Sequence, residues 1–245
     1  MLVGAAILPS APLLVPGASP TLPRTVTRVC DAVDATVERL PDHDVVVVIA
    51  AAQSGRVHAA ARASLAGIGR PDISADPPVD DRTVQRLAAV CRFPVATEAP
   101  LPLDLAVLTI LLGEGSAVVP LAVPATAGFD ALAATGIAIA KALDDPEVRG
   151  VAVAAGDLSA GLTQRSPLHT VEGAEEFDAR VVEAVDAGRL DSLDRLGPEE
   201  ARRVGARGWA ALATLHGTLE TAKLGLVRRH YSAPEGVGYL VAQGA

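Results

Sequence analysis

The order of apolar and polar positions predicts strands and helices that alternate along the chain. Residues 45–49 are four valines and an isoleucine, which favours a strand covered on both faces because β-branched side chains lose rotamer freedom in a helix. Residues 25–40 instead place valines three and four positions apart, which is typical of an amphipathic helix. The same reasoning predicts strands at 2–8, 44–52, 116–123, 148–155 and 236–241, and helices at 25–40, 81–91, 103–112, 129–143, 172–185 and 198–224.

This alternation predicts an α/β fold. We expect a sandwich with a central mixed or largely parallel sheet flanked by helices. No low-complexity linker or internal repeat divides the chain, so residues 1–245 are interpreted as a single domain. Residues 55–78 are expected to be mostly irregular because glycines and prolines recur there.

Composition and charge exclude several function classes. Half of the residues are hydrophobic but only 2% are aromatic, so the core is expected to consist of Ala, Val, Leu and Ile. The net charge is −8, and no basic cluster exceeds an arginine pair such as Arg202-Arg203. Nucleic-acid binding needs clustered cations, and we therefore expect no nucleic-acid partner.

Cysteine usage and the apolar runs predict a cytoplasmic protein without a membrane span. Cys30 and Cys91 lie in predicted helices and have no metal-site or disulfide-framework spacing, so they are interpreted as reduced thiols. The apolar start lacks a basic segment and is interrupted by prolines, which favours a first strand over a signal peptide. No other apolar run reaches the roughly 18 residues of a membrane helix without breakers or charges.

A short polar turn after the predicted strand 148–155 is the main candidate site. Its sequence is Gly156-Asp157-Leu158-Ser159-Ala160. Open α/β sheets place their binding sites at the carboxyl ends of strands, where this turn lies. Asp157 and Ser159 also have a purely structural interpretation, because both residue types bind nearby backbone amides in turns.

Histidine positions and nucleotide motifs narrow the chemistry further. No two of the five histidines lie within four residues of each other, so a metal site would need ligands from distant loops. His58 and His169 lie in predicted loops and could pair with Asp157 in acid–base chemistry. Neither a dinucleotide fingerprint nor a P-loop is present, and Ser54 lacks the first glycine of a nucleophile elbow.

Several segments, taken in order, match the pattern of one enzyme superfamily. They are residues 6–16 (Ala-Ile-Leu-Pro-Ser-Ala-Pro-Leu-Leu-Val-Pro), 46–52, 104–106 (Asp-Leu-Ala), 156–159 (Gly-Asp-Leu-Ser), 173–178, 231–234 and 238–239. Together they resemble the superfamily of the class III extradiol ring-cleavage dioxygenases, which includes the Memo-like proteins. The resemblance implies the fold of the catalytic chain of those dioxygenases.

The resemblance also implies which chemistry this chain lacks. Active members hold a non-haem Fe(II) with two histidines and a carboxylate, and open an aromatic ring beside two hydroxyls. At the histidine positions that can be matched, this chain has Ser10, Ala52, Leu105 and Ala160, none of which offers an imidazole. Glu220 is a candidate for the carboxylate. We therefore expect a member without iron, other metals or any other cofactor.

Three functions stay open at this point. The first is a catalytically degenerate dioxygenase-like protein whose cleft binds a small molecule or a partner. The second is an active enzyme of the superfamily, or one with changed, non-iron chemistry that uses Asp157 and a loop histidine. The third is an interaction protein that acts through its surface, and a homodimer is compatible with this sequence. The expected cleft residues are Ser10, Gln53, Asp157, Ser159 and His169.

Overall fold

Eight strands form one large mixed sheet flanked by helices, and two further strands form a separate hairpin. The computed structural model describes residues 1–244. The strands are β1 (Leu2–Leu8), β2 (Val45–Ala52), β3 (Arg56–His58), β4 (Ala63–Leu65), β5 (Arg70–Ala75), β6 (Val95–Ala96), β7 (Ala117–Pro124), β8 (Gly150–Ala155), β9 (Val227–Ser232) and β10 (Tyr239–Gly244). The helices are α1 (Arg24–Glu38), α2 (Asp81–Cys91), α3 (Leu103–Leu112), α4 (Phe129–Ala142), α5 (Ala174–Asp186), α6 (Gly197–Val204) and α7 (Trp209–Ala222). The predicted α/β class is confirmed.

The order of the strands brings the carboxyl ends of four parallel strands to one edge of the sheet. The order is β6-β3-β7-β2-β8-β1-β10-β9. Its centre, β7-β2-β8-β1, is parallel throughout, whereas β3, β10 and β9 join as antiparallel neighbours. The carboxyl ends of the four central strands therefore lie side by side, and we call this the carboxyl edge. Open sheets of this kind bind ligands there.

Burial explains why the central strands were predictable from sequence. Val45 to Ala50 and Gly150 to Ala155 are all buried, as expected for strands covered on both faces. Helix α7 is buried over most of its length because it packs against α4 as well as against β2 and β8. An added Cβ at Gly136 or Gly217 would lie about 2 Å from a backbone oxygen of the facing helix, so α4 and α7 can approach closely only with glycine at these positions.

The prediction of one continuous helix at 198–224 is wrong, because the structure divides this range into α6 and α7. Helix α6 ends before Gly205, whose φ of 74° lies in the left-handed region that favours glycine. The chain then passes Gly208 at the end of β8, where an added Cβ would lie 2.7 Å from the Ala155 oxygen. The break therefore brings the segment between the two helices, residues 205–208, to the carboxyl edge.

The structure also corrects the peripheral elements. Residues 55–78 contain β3 and the antiparallel β4–β5 hairpin rather than mostly irregular chain. The last strand begins at Tyr239 instead of residue 236, and the edge strand β9 was not predicted. β9 carries consecutive polar residues that are partly or fully exposed, so it lacks the apolar pattern by which a covered strand is recognised.

Neither a disulfide nor a membrane-spanning helix is found in the described residues. Cys30 and Cys91 are both free and partly buried, and burial raises the pKa of the Cys91 thiol to about 11. Within residues 1–244, every helix is too short or too polar to cross a lipid bilayer.

Candidate functional site

Ser10 and Asp157 meet at the carboxyl edge because each follows one of two adjacent parallel strands, β1 and β8. The Ser10 backbone N–H donates to Asp157 Oδ2 at 2.7 Å, and the Ser10 hydroxyl donates to the same oxygen. The residues are only 3% and 8% exposed, respectively. Burial raises the pKa of Asp157 to about 6, although both hydrogen bonds from Ser10 act in the opposite direction.

A second buried carboxylate lies beside this pair. Asp104 is in the first turn of α3 and is 7% exposed. Its Oδ2 accepts a hydrogen bond from Arg207 Nη2, and its charge raises the pKa of Asp157 further. Burial raises the pKa of Asp104, while the charge of Arg207 opposes the shift. We call Ser10, Asp104, Asp157 and Arg207 the acidic cluster.

A cavity of about 260 Å³ adjoins this cluster at the carboxyl edge. We call it the edge cavity. It lies between the ends of β2 and β7, helix α6, the segment 205–208 and the start of α7, and its apolar lining includes Ala51, Ala125, Ala206, Trp209 and Ala210. Its charged lining residues are Glu199, Arg202 and Arg207. Because Arg207 belongs to both features, it connects the buried acids to a space that a ligand could enter.

The other predicted cleft residues lie outside the acidic cluster. Gln53 is exposed just beyond β2. Ser159 is fully buried, and its backbone N–H donates to Asp178 Oδ1 at 2.9 Å while its hydroxyl donates to the Ala174 carbonyl. Those bonds fix the turn to α5, so Ser159 has a structural contact here. Within residues 1–244, no hydrogen bond joins Gln53, Ser159 or His169 to the cluster.

The structure does not form the suggested pair of Asp157 with a loop histidine. His169 is exposed, and its Nδ1 lies 3.1 Å from the Gln164 carbonyl oxygen. His58 is buried on β3, and neither of its ring nitrogens has a hydrogen-bond partner in the described residues. Burial lowers the pKa of His58, which favours the neutral ring. Neither imidazole therefore bonds to Asp157.

The residues at the matched histidine positions do not fit a non-haem iron centre. Ser10 is bonded to Asp157, Leu105 is buried in the core, and the Ala160 N–H donates to the Val204 carbonyl at 2.9 Å. Ala52 supplies only its carbonyl, which accepts from Ala125 at 2.8 Å. A two-histidine, one-carboxylate site needs imidazoles that this edge of the sheet does not supply.

Carboxylates do not compensate for the absent imidazoles. Asp104 and Asp157 each accept hydrogen bonds from residues of the chain itself. Glu220 is exposed near the far end of α7, where its Oε2 lies 3.7 Å from Nε2 of His216. Residues 1–244 contain no group of three or more His, Cys, Asp or Glu arranged to hold a metal ion.

Neither Arg207 nor Asp104 was predicted from the sequence as a residue of the candidate site. Arg207 falls within the single helix predicted for residues 198–224, where an exposed arginine is ordinary. The available signal was Gly205-Ala-Arg-Gly208, in which two glycines close together weaken a helix. Asp104 was noted only as part of a matched segment, since its contact with Arg207 spans more than one hundred residues.

Comparison with known proteins shows the fold. No family model matches this chain, and no curated protein matches it. The crystal structure of the uncharacterized protein JW3007 from Escherichia coli K12 is similar, with a TM-score of 0.64 and 16% sequence identity. The alignment covers 98% of each chain. At this identity the likeness shows that the whole chain shares a mixed-sheet α/β fold with that bacterial protein.

Proposed function

We propose that this protein binds a small molecule in the edge cavity, without a metal, as a catalytically degenerate member of the extradiol dioxygenase-like proteins. The observation that carries the proposal is the position of the edge cavity, which lies at the carboxyl ends of β2 and β7 beside the acidic cluster. Support for the family assignment comes from the order of the matched segments along the sequence.

The lining of the edge cavity suits a small organic ligand. Binding sites for such ligands combine mostly apolar walls with a few polar groups that fix orientation. Here alanines and Trp209 form apolar walls, and arginines lie at the border. Trp209 is held in place because its indole N–H donates to the Leu193 carbonyl at 3.2 Å. The cavity is slightly below the roughly 300 Å³ at which pockets for drug-sized molecules begin, so a smaller ligand is expected.

The acidic cluster supports binding rather than ring cleavage. Ser10 occupies a position where the resemblance implies an imidazole, and its hydroxyl and N–H are both committed to Asp157. A change to one ligand can be compensated by neighbouring groups, but all the matched histidine positions differ in this chain. We therefore propose that the protein retains the cleft of this fold but does not carry out the family's oxygen chemistry.

The test is a fragment screen by ligand-observed NMR on chelator-treated protein, comparing the wild type with Ala125→Phe. Ala125 is exposed at the border of the cavity, so a phenyl ring there should obstruct the space without disturbing the core. We expect fragments to bind the wild type and to lose at least about ten-fold in affinity in the variant. Ala134→Phe, at an exposed alanine of α4 in another groove, is the matched control and should bind like the wild type.

Two results would contradict the proposal. Fragments that bind both phenylalanine variants equally would place the binding site elsewhere. Tight retention of iron after purification, together with cleavage of a catechol, would show that the donor set of the edge supports the chemistry that we exclude from the proposal.

A further inference from the structure

We infer that the ligand of the edge cavity is a small organic carboxylate, and that Arg207 binds its carboxylate group. This inference rests on the proposed function and specifies its ligand class. The geometry that points to it is an arginine that both borders an apolar cavity and is fixed by a buried acid.

Arg207 is oriented by the protein but still has donors to offer. Asp104, which is buried in the first turn of α3, accepts from Nη2. Asp104 is the only hydrogen-bond partner of the Arg207 guanidinium within residues 1–244, and the side chain is 61% exposed. A guanidinium carries several N–H groups in a planar fork that matches a carboxylate. The remaining donors are available to a ligand at little cost in ordering, because Asp104 already restrains the group.

Backbone contacts around Arg207 also help to fix its position. The Gly208 N–H donates to the Asp157 carbonyl at 2.7 Å, and Gly205 and Ala206 also border the cavity. Arg207 is thus held on one side by Asp104 and on the other by the turn that follows α6. An arginine held in this manner can discriminate by shape as well as by charge.

The surrounding charges favour an anion over a cation. A cationic ligand would have to displace Arg207 from Asp104, since that acid is already paired. Arg202 and its partner Glu199 both border the cavity with exposed side chains, and Arg202 Nη2 lies 3.0 Å from Glu199 Oε2. Exposed pairs of this kind are weak, so Arg202 can turn towards a bound anion. The apolar walls leave space for an organic body, which an inorganic anion lacks.

The test compares benzoate with its neutral and cationic counterparts, benzamide and benzylamine, by calorimetric titration of the wild type at neutral pH. The three probes share the ring and differ in the charge of the polar group. We expect benzoate to bind at least about ten-fold more tightly than benzamide, since a charge-assisted hydrogen bond is the stronger kind. Benzylamine and inorganic phosphate should not displace benzoate at comparable concentrations.

Variants then assign the effect to one residue. Arg207→Met should weaken benzoate by about ten-fold or more and leave benzamide unchanged, while Arg207→Lys should give an intermediate loss because it keeps the charge without the planar fork. Arg180→Met is the matched control: Arg180 is an exposed arginine of α5 that borders a different groove. Its benzoate affinity should equal that of the wild type.

The outcomes separate this inference from the proposed function. If benzamide or benzylamine binds as tightly as benzoate, and Ala125→Phe abolishes that binding, the cavity is a binding site but the carboxylate assignment is overturned. Equal competition by inorganic phosphate, or unchanged benzoate binding in Arg207→Met, also overturns it. If none of the probes binds, the carboxylate assignment fails, whereas the proposed function fails only if the fragment screen also finds no ligand that Ala125→Phe weakens. The wild-type comparison needs no variant, so poor folding of Arg207→Met leaves the test decisive.

Discussion

At the residue scale, burial and hydrogen bonding have opposite effects on the pKa of Asp157. Removal from water disfavours its charged form, whereas the two donors of Ser10 favour it, and burial is the larger effect. The other charged or ionisable groups that act on it are Asp104, which raises its pKa further, and Arg207, which lowers it. Burial raises the pKa of Tyr239, and the charge of Asp157 raises it further.

The raised pKa of Asp157 predicts a pH dependence of stability. The folded state holds the proton more tightly than the unfolded chain, with a pKa of about 6 against 3.8. The stabilisation that follows from this proton is complete below the unfolded value and is lost as the pH rises through about 6. At about 1.4 kcal/mol per unit, the loss is on the order of 3 kcal/mol.

The variant Asp157→Asn tests this prediction, because an amide can still accept from Ser10 but does not ionise. In urea denaturation at about pH 4 and about pH 7, the stability of the variant relative to the wild type should rise with pH by about 2–3 kcal/mol. Asp42→Asn, at an exposed residue, controls for the change in net charge. A stability difference that does not change with pH would show that Asp157 is not held in a desolvated state.

At the scale of elements, the break between α6 and α7 builds the site. A continuous helix through residues 198–224 would not bring the chain around Arg207 to the end of β8. The break depends on Gly205, which has a positive φ, and on Gly208, which packs directly against the backbone of Ala155 and Asp157. Because Gly208 packs so closely, a larger residue at this position should destabilise the protein.

Gly208→Ala should destabilise the protein by roughly 1–3 kcal/mol, because its Cβ would lie 2.7 Å from the Ala155 oxygen and 2.8 Å from the Asp157 oxygen. It should also weaken benzoate binding, since the turn that holds Arg207 must shift. Gly225→Ala is the control: no heavy atom lies within 4 Å of its added Cβ, and we expect a change within about 0.5 kcal/mol. Equal stability of the two variants in thermal or urea denaturation would refute the packing argument.

At the scale of the whole molecule, the buried centre of the fold could be predicted from the sequence and its margins could not. The run from Val45 to Ile49 indicated a covered strand, and the location of Asp157 after another such strand indicated the carboxyl edge. β9 and the β4–β5 hairpin are short or exposed, so they lack an apolar pattern. The contact between Arg207 and Asp104 arises from tertiary packing, which local pattern does not encode.

The likeness to the Escherichia coli protein extends over nearly the full length of both chains at 16% identity. Two sequences that differ at most positions thus form a similar fold, because apolar pattern and volume maintain a core. The site follows different rules, since its properties depend on individual side chains such as Ser10 and Arg207. The function must therefore be tested by locating a bound ligand.

A crystal structure of the metal-free protein with bound benzoate decides whether the edge cavity is the binding site. We expect density for the ring in the edge cavity, between Ala51, Ala125 and Trp209, with the carboxylate within hydrogen-bonding distance of Arg207. Benzoate bound only at another surface would contradict the claim, and so would a site that forms only when a metal ion occupies Asp104 and Asp157.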